Sequence, residues 1–249
     1  LLLVVERDAH RVQAFRLPSL APLGAFGDTL LTKPYGVAAH RTGPGTYGVY
    51  VTDNYETPDG GVPPLAALGR RVREFRVRDA GAAVAATLVR TFGDTTARGA
   101  LRVVESIAVD PAHGRLLVAE ELETDSHLKV YDLAGRYTGQ DVGRGRYPQQ
   151  AEGIALYACA DGSGWWVTAD QGERVNTFHV YDRRTLAYRG AFTGARTRLT
   201  DGVVVTATAV GPFRTGALFA SHLDGSVSAF DWDAVARALG LPPGCPEAR

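Results

Sequence analysis

Leu128-Lys129-Val130-Tyr131-Asp132 returns fifty residues later as Phe178-His179-Val180-Tyr181-Asp182, and again as Val227-Ser228-Ala229-Phe230-Asp231. Two weaker copies precede them, Val12-Gln13-Ala14-Phe15-Arg16 and Val72-Arg73-Glu74-Phe75-Arg76. Their aromatics fall at positions 15, 75, 131, 181 and 230, so successive copies lie 49 to 60 residues apart. That spacing is one blade of a propeller built from four-stranded sheets. A β-sandwich also has many short strands, but it does not require the same aromatic ending five times.

Around each copy the other strands of a blade can be read. A more apolar run precedes each one, at 2–5, 49–52, 116–119, 165–168 and 218–221. Such runs suit strands buried on both faces. Four repeats have a further strand before that run, at 34–38, 104–108, 151–155 and 200–204. Most have an edge-like strand after the copy, at 21–26, 86–92, 137–142 and 188–192. The first repeat lacks its first strand. The reading is an all-β propeller of four-stranded antiparallel blades, five of them visible, six if a first blade is completed or missing. Residues 1–241 form one propeller domain and 242–249 a tail. One short helix is expected at 233–240, with Asp233 as N-cap and Gly240 as stop.

Composition narrows the function. Lys and Arg number 27, as do Asp and Glu, so nothing electrostatic recommends nucleic acid or an anionic membrane. No apolar run reaches the length of a membrane span. The six His show no zinc spacing, and GxSxG, P-loop and GxGxxG motifs are absent from the sequence. The basic run Arg70-Arg71-Val72-Arg73-Glu74-Phe75-Arg76-Val77-Arg78 reads as a solvated outer strand. The long Pro/Gly-rich loop at 53–68 reads as a lid or contact loop. Cys159 and Cys245 are either two independent thiols or a bridge holding the tail, and a bridge would imply an oxidising compartment. The chain has no Met and opens on Leu1, which reads as a trimmed or processed product.

The repeat also orders the carboxylates. The first strand of successive repeats begins with Tyr35, Glu105, Glu152 and Asp201 at the equivalent position. In a propeller these positions face the mouth of the central channel, so three acids converge there. Ringed carboxylates repel and call for a cation, and hard oxygen ligands suit Ca²⁺. The ends of the second strands add Asp53-Asn54, Glu120-Glu121 and Asp170, with Glu6-Arg7 in the first repeat.

Three stretches carry a family resemblance. Ala151-Glu152-Gly153-Ile154, the turn Ala160-Asp161-Gly162-Ser163-Gly164 and Asp170-Gln171-Gly172 follow one another in order. So do Val104-Glu105-Ser106 with Val118-Ala119-Glu120-Glu121, and Thr200-Asp201-Gly202 with Gly211-Pro212-Phe213. These resemble the β-propeller phytases, most closely over 100–232. The resemblance implies a six-bladed, secreted, periplasmic or cell-envelope protein that hydrolyses phosphate monoesters of inositol phosphates with Ca²⁺. It implies Glu105, Glu152, Asp201 and Glu121 as metal ligands, and Glu120 and Glu152 as catalytic residues, Glu120 orienting water. It implies Arg7, Tyr35 and Asn54 as substrate contacts. The family's phosphate-binding Lys positions read Glu6-Arg7 and Asp53-Asn54 here, so only Arg7 can substitute. The alternative reading is therefore a non-catalytic propeller serving as a binding or envelope-assembly subunit with a protein partner.

Overall fold

The aromatic copies are strands, and in the later repeats each is the third strand of its sheet. A computed structural model describes residues 1–246, which cluster into two compact units. The first comprises 1–120 and 129–140; the second comprises 121–128 and the chain from 141 onward. The tail expected at 242–249 is described only to Pro246, and its last three residues lie outside the described residues.

In the first unit, β1 (Leu2–Glu6), β2 (Arg11–Phe15) and β3 (Pro22–Phe26) form a three-stranded sheet. The next sheet runs β4 (Pro34–Gly43), β5 (Thr46–Asp53), β6 (Val72–Asp79) and β7 (Val84–Phe92). The third sheet, β8 (Ile107–Asp110), β9 (Arg115–Glu120), β10 (His127–Asp132) and β11 (Tyr137–Val142), belongs to this unit except for residues 127–128 and 141–142, which are counted with the second. In the second unit come β12 (Ala151–Ala158), β13 (Gly164–Asp170), β14 (Thr177–Asp182) and β15 (Tyr188–Thr193). The last sheet is β16 (Val203–Thr206), β17 (Ala217–His222) and β18 (Ser226–Asp231), followed by the helix α1 (Trp232–Leu239). The fold is thus a five-bladed β-propeller. Among the described residues its first blade has three strands and lacks the first, as the repeat predicts, and its last has three and lacks the fourth.

Burial explains the aromatic period. Phe75, Tyr131 and Tyr181 are fully buried, because the third strand is covered by its neighbours in the sheet and by adjoining sheets. In the first unit Phe26 and Phe75 meet edge-on at 5.1 Å among Val12, Val49, Val51 and Val77. In the second, Phe178, Phe192 and Phe230 pack mutually within 5.6 Å. Such pairs add about 0.5–1.5 kcal/mol each beyond area burial.

The helix starts one residue before its expected position. Asp231, the terminal Asp of the last repeat, is the N-cap and accepts the amide of Asp233 at 3.2 Å. It can cap because it is still extended, whereas Asp233 is helical and ion-pairs with Arg237 one turn on. Gly240 closes the helix at φ +64°. Trp232 is fully buried and stacks on Tyr157 at 4.4 Å, which seats the helix on the sheet.

The basic run departs from expectation. Its strand, β6, lies between β5 and β7, so it is not an outer strand. Arg76 and Arg78 are exposed, but Arg71 and Arg73 are buried. Arg71 donates to the carbonyls of Tyr55 at 2.7 Å, Leu101 at 2.9 Å and Asp53 at 3.3 Å, and to that of Arg102. Arg73 pairs with Asp53 at 3.2 Å. The charges are inside because carbonyls and a carboxylate meet them there.

Cys159 and Cys245 are bridged, with Cα atoms 5.3 Å apart and a sequence separation of 86. The bridge ties the tail to the turn after β12. Replacing both with serine is expected to cost about 2–4 kcal/mol, mainly by freeing the unfolded chain. Chemical denaturation of the double variant, compared with reduced and oxidised wild type, checks it.

Candidate functional site

The blades share one local device. Each second strand of the three complete sheets ends on an acid that accepts amides from the segment leading into its own first strand. Asp53 Oδ1 accepts from Thr32 N at 3.1 Å and Lys33 N at 2.7 Å. Glu120 accepts from Arg102 N at 2.7 Å and Val103 N at 3.0 Å. Asp170 accepts from Gln149 N at 3.0 Å and from the amide of Gln150. All three carboxylates are buried. They fix the segments carrying Tyr35, Glu105 and Glu152, two residues beyond the clamped amides.

In the first unit the sequence-predicted contacts do come together. Asn54 is buried; its Nδ2 donates to Glu105 Oε1 at 3.4 Å and its Oδ1 accepts from Val104 N at 3.2 Å. The Tyr35 hydroxyl also hydrogen-bonds Glu105, and the Arg7 guanidinium lies 5.5 Å from the Tyr35 ring centre. Burial raises the Glu105 carboxyl above its usual range, while the Tyr35 bond and the charges of Lys33 and Arg7 pull it back. Gly36 permits the close approach. A Cβ there would stand 2.2 Å from the Glu105 carbonyl oxygen, and Thr52 Oγ1 donates to that oxygen at 2.6 Å.

The second unit repeats this arrangement. A Cβ at Gly153 would lie 2.7 Å from the Asp201 carbonyl oxygen, which instead accepts the Gly153 amide at 2.9 Å. Glu152 thereby sits beside the segment of Asp201. Glu121 and Glu152, both buried, offer carboxylate oxygens within 4.8 Å of one another. Gln171 Nε2 donates to Asp201 Oδ1, and Gln150 Nε2 to the Glu121 carbonyl at 3.5 Å. Asp201 is raised above the usual carboxylate range by burial and by the nearby charge of Asp224, against the Gln171 bond.

Two participants escape the repeat reading. Lys33 precedes Pro34-Tyr35, and it places its charge near Glu105 while ion-pairing with Glu56. Gln171 follows Asp170 in the Asp170-Gln171-Gly172 triplet, and that triplet is its only signal in the sequence. Glu105 and Asp201 precede strands β8 and β16, whereas Glu152 lies within β12.

The phytase family profile matches residues 71–218, more than half of the chain. The chain belongs to the phytase family. No curated protein matches it. Among solved structures it is similar to one titled nidogen/laminin complex, with TM-score 0.58 and 14% identity, over 89% of this chain and 67% of that one. The luciferin-regenerating enzyme gives TM-score 0.54 and 12% identity over 92% and 67%. Kuenenia stuttgartiensis hydrazine synthase gives 0.53 and 11% over 93% and 62%. At these identities the likeness concerns the fold, and the chain spans about two thirds or less of each.

Within this phytase-family chain one buried histidine sets an acid limit. Burial, aided by Arg146, lowers His179 to about 4. It meets the Tyr147 ring at 4.9 Å, and its Nδ1 lies 3.4 Å from the Tyr188 hydroxyl. A histidine lowered in the fold is neutral there while the unfolded chain takes up a proton. Its contribution is therefore intact above about pH 6.5 and is lost as pH falls towards 4. Asp170, raised to about 6 by burial, has the opposite sign. His179→Phe is expected to flatten the loss of stability between pH 6.5 and 4, read from thermal unfolding across that range.

Proposed function

We propose that the chain is a Ca²⁺-dependent phosphomonoester hydrolase of phytase type, acting on inositol phosphates or related esters. Family membership supports the class. The observation that carries it is the buried Glu121–Glu152 pair, whose oxygens lie within 4.8 Å. Two full charges at that distance repel by about 3–4 kcal/mol at an effective dielectric of 20. A hard divalent cation offsets this, and the donors present are oxygens, as Ca²⁺ requires.

In the second unit Glu121, Glu152 and Asp201 are the proposed ligands. In the first unit Glu105 is the proposed ligand, and Arg7, Tyr35, Asn54 and Lys33 would bind phosphoryl oxygens. When bound, Ca²⁺ would neutralise phosphoryl charge and lower the pKa of a water. Water adds to phosphorus, the P–O ester bond breaks, and the products are inorganic phosphate and an alcohol. For Glu120, the bonds to two backbone amides favour a positioning part, holding the segment before Glu105, over contact with water.

A binding or envelope-assembly role is the second reading. It is favoured by Asp53 being taken up by Thr32, Lys33 and Arg73 rather than left to a ligand. Under either reading the disulfide supports an oxidising, secreted, periplasmic or envelope location. No helix among the described residues is long and apolar enough to cross a membrane.

Isothermal titration with Ca²⁺ tests the metal. Wild type should take up the ion and Glu152→Gln should lose uptake in that unit. Equal uptake by both would overturn the ligand assignment.

A further inference from the structure

Arg71, Ser126 and Asn176 share one repeat position, the residue immediately before the third strand of each four-stranded sheet, at β6, β10 and β14. Side chains of these types are mostly exposed, yet all three are buried. Each bonds backbone that belongs to the following repeat. Arg71 donates to the carbonyls of Leu101 and Arg102, ahead of Glu105. Ser126 Oγ accepts the Ala151 amide at 2.7 Å, next to Glu152. Asn176 Oδ1 accepts the Gly172 amide at 3.2 Å and the Thr200 amide at 3.4 Å, next to Asp201. Two backbone bonds reinforce this last contact, Asn176 N to the Thr197 carbonyl at 2.9 Å and Leu199 N to the Gly172 carbonyl at 3.1 Å. The first repeat differs. Its residue before β2, His10, is exposed, and the repeat that follows carries Tyr35 in place of an acid.

We infer that Arg71, Ser126 and Asn176 are positioning residues, each fixing the backbone from which the next repeat's carboxylate reaches a bound cation. A Ca²⁺ ligand must place its oxygen about 2.3–2.6 Å from the ion. The strand ladder does not secure that placement here. Glu105 and Asp201 lie outside regular pairing, since β8 begins at Ile107 and β16 at Val203. Glu152 falls within a register shift between Ala151 and Ile154. Side-chain bonds from the preceding repeat hold these segments instead, in addition to the strand-end acids Glu120 and Asp170. Hydrogen bonds behind a ligand orient it and tune its affinity for the metal. The inference rests on the proposed cation at Glu121, Glu152 and Asp201, and it names residues outside that set which shape it.

The test compares Ser126→Ala and Asn176→Ala with the conservative Ser126→Thr and Asn176→Asp. Asp53 and Glu120 each accept two amides in this fold, so aspartate at 176 can keep both bonds. Circular dichroism verifies folding of every variant. Ser126→Ala removes a single oxygen, so it carries the test by itself if Asn176→Ala unfolds. In Ca²⁺-free protein, hydrogen exchange should quicken at residues 172 and 200 in Asn176→Ala, and at 151 in Ser126→Ala, with distant amides unchanged. In calorimetric titration each Ala variant should bind Ca²⁺ about tenfold more weakly than wild type, and the conservative variants should recover the affinity. Wild-type Ca²⁺ affinity in the folded Ala variants would overturn the inference, since the bonds would then serve stability alone. A wild type that takes up no Ca²⁺ would sink the metal reading instead. Hydrogen exchange would still decide the holding role, which unchanged rates at 151, 172 and 200 would overturn.

Discussion

Replacing Arg71 with methionine is expected to lower stability by about 3–5 kcal/mol, the cost typical of removing one partner from a buried charged network. The guanidinium is nearly fully buried against the Tyr55 ring at 4.5 Å, and it donates to four carbonyls. Methionine fills a similar volume and donates to none of them. Each carbonyl left unsatisfied costs about 1–3 kcal/mol. Arg78→Ala, on the same strand but exposed, should change stability by less than about 0.5 kcal/mol. Urea unfolding of the two variants reads the contrast, and a loss below 1 kcal/mol for Arg71→Met would show that the carbonyls find other donors. The same substitution frees the segments at 53–55 and 101–102, which carry Asn54 and lead to Glu105. Activity should therefore fall before the fold does.

Glu152→Gln should reduce Ca²⁺-stimulated phosphate release at least about a hundredfold, the scale of losing one charged group that stabilises a transition state. Glutamine keeps the shape at a buried position in β12 while removing the charge and turning one acceptor oxygen into an amide donor. Removing one of two like charges within 4.8 Å can even stabilise the metal-free protein. Increased stability with lost activity is the signature of a group held against its own preference. Reduced stability would instead mean that Glu152 is a structural acid.

The aromatic repeat made the blades legible because burial of the third strand demands large apolar side chains at one register. Tyr131 and Tyr181 have nearly no exposed surface, and their neighbours in sequence alternate accordingly. First-strand starts were less legible. Glu105 and Asp201 read as strand residues, but β8 begins at Ile107 and β16 at Val203. The pairing shifts register between Ala151 and Ile154, and between Pro34 and Val37, where Gly153 and Gly36 admit a neighbouring carbonyl. A bulge of this kind leaves the hydrophobic pattern nearly unchanged.

Residues whose partners are distant in sequence were the hardest to place. The burial of Arg71 depends on carbonyls 16 to 31 positions away, so a basic run reads as solvated until those loops are in place. The strand-end acids Asp53, Glu120 and Asp170 looked like ligands of a common mouth. Their oxygens are given to backbone amides about 20 residues upstream. The repeat picks them out, and the structure adds that each holds the segment leading into its own blade. Lys33 shows the converse case. It lacks a repeat equivalent among the quoted positions, yet its charge acts on Glu105.

The most direct test of the central claim is inorganic phosphate released from glucose 6-phosphate and from inositol hexakisphosphate, with millimolar Ca²⁺ and with excess chelator. The account predicts release with Ca²⁺, none above background with chelator, and none from Glu152→Gln under either condition. Absence of release from both esters at every Ca²⁺ level, in protein shown to be folded, would contradict it.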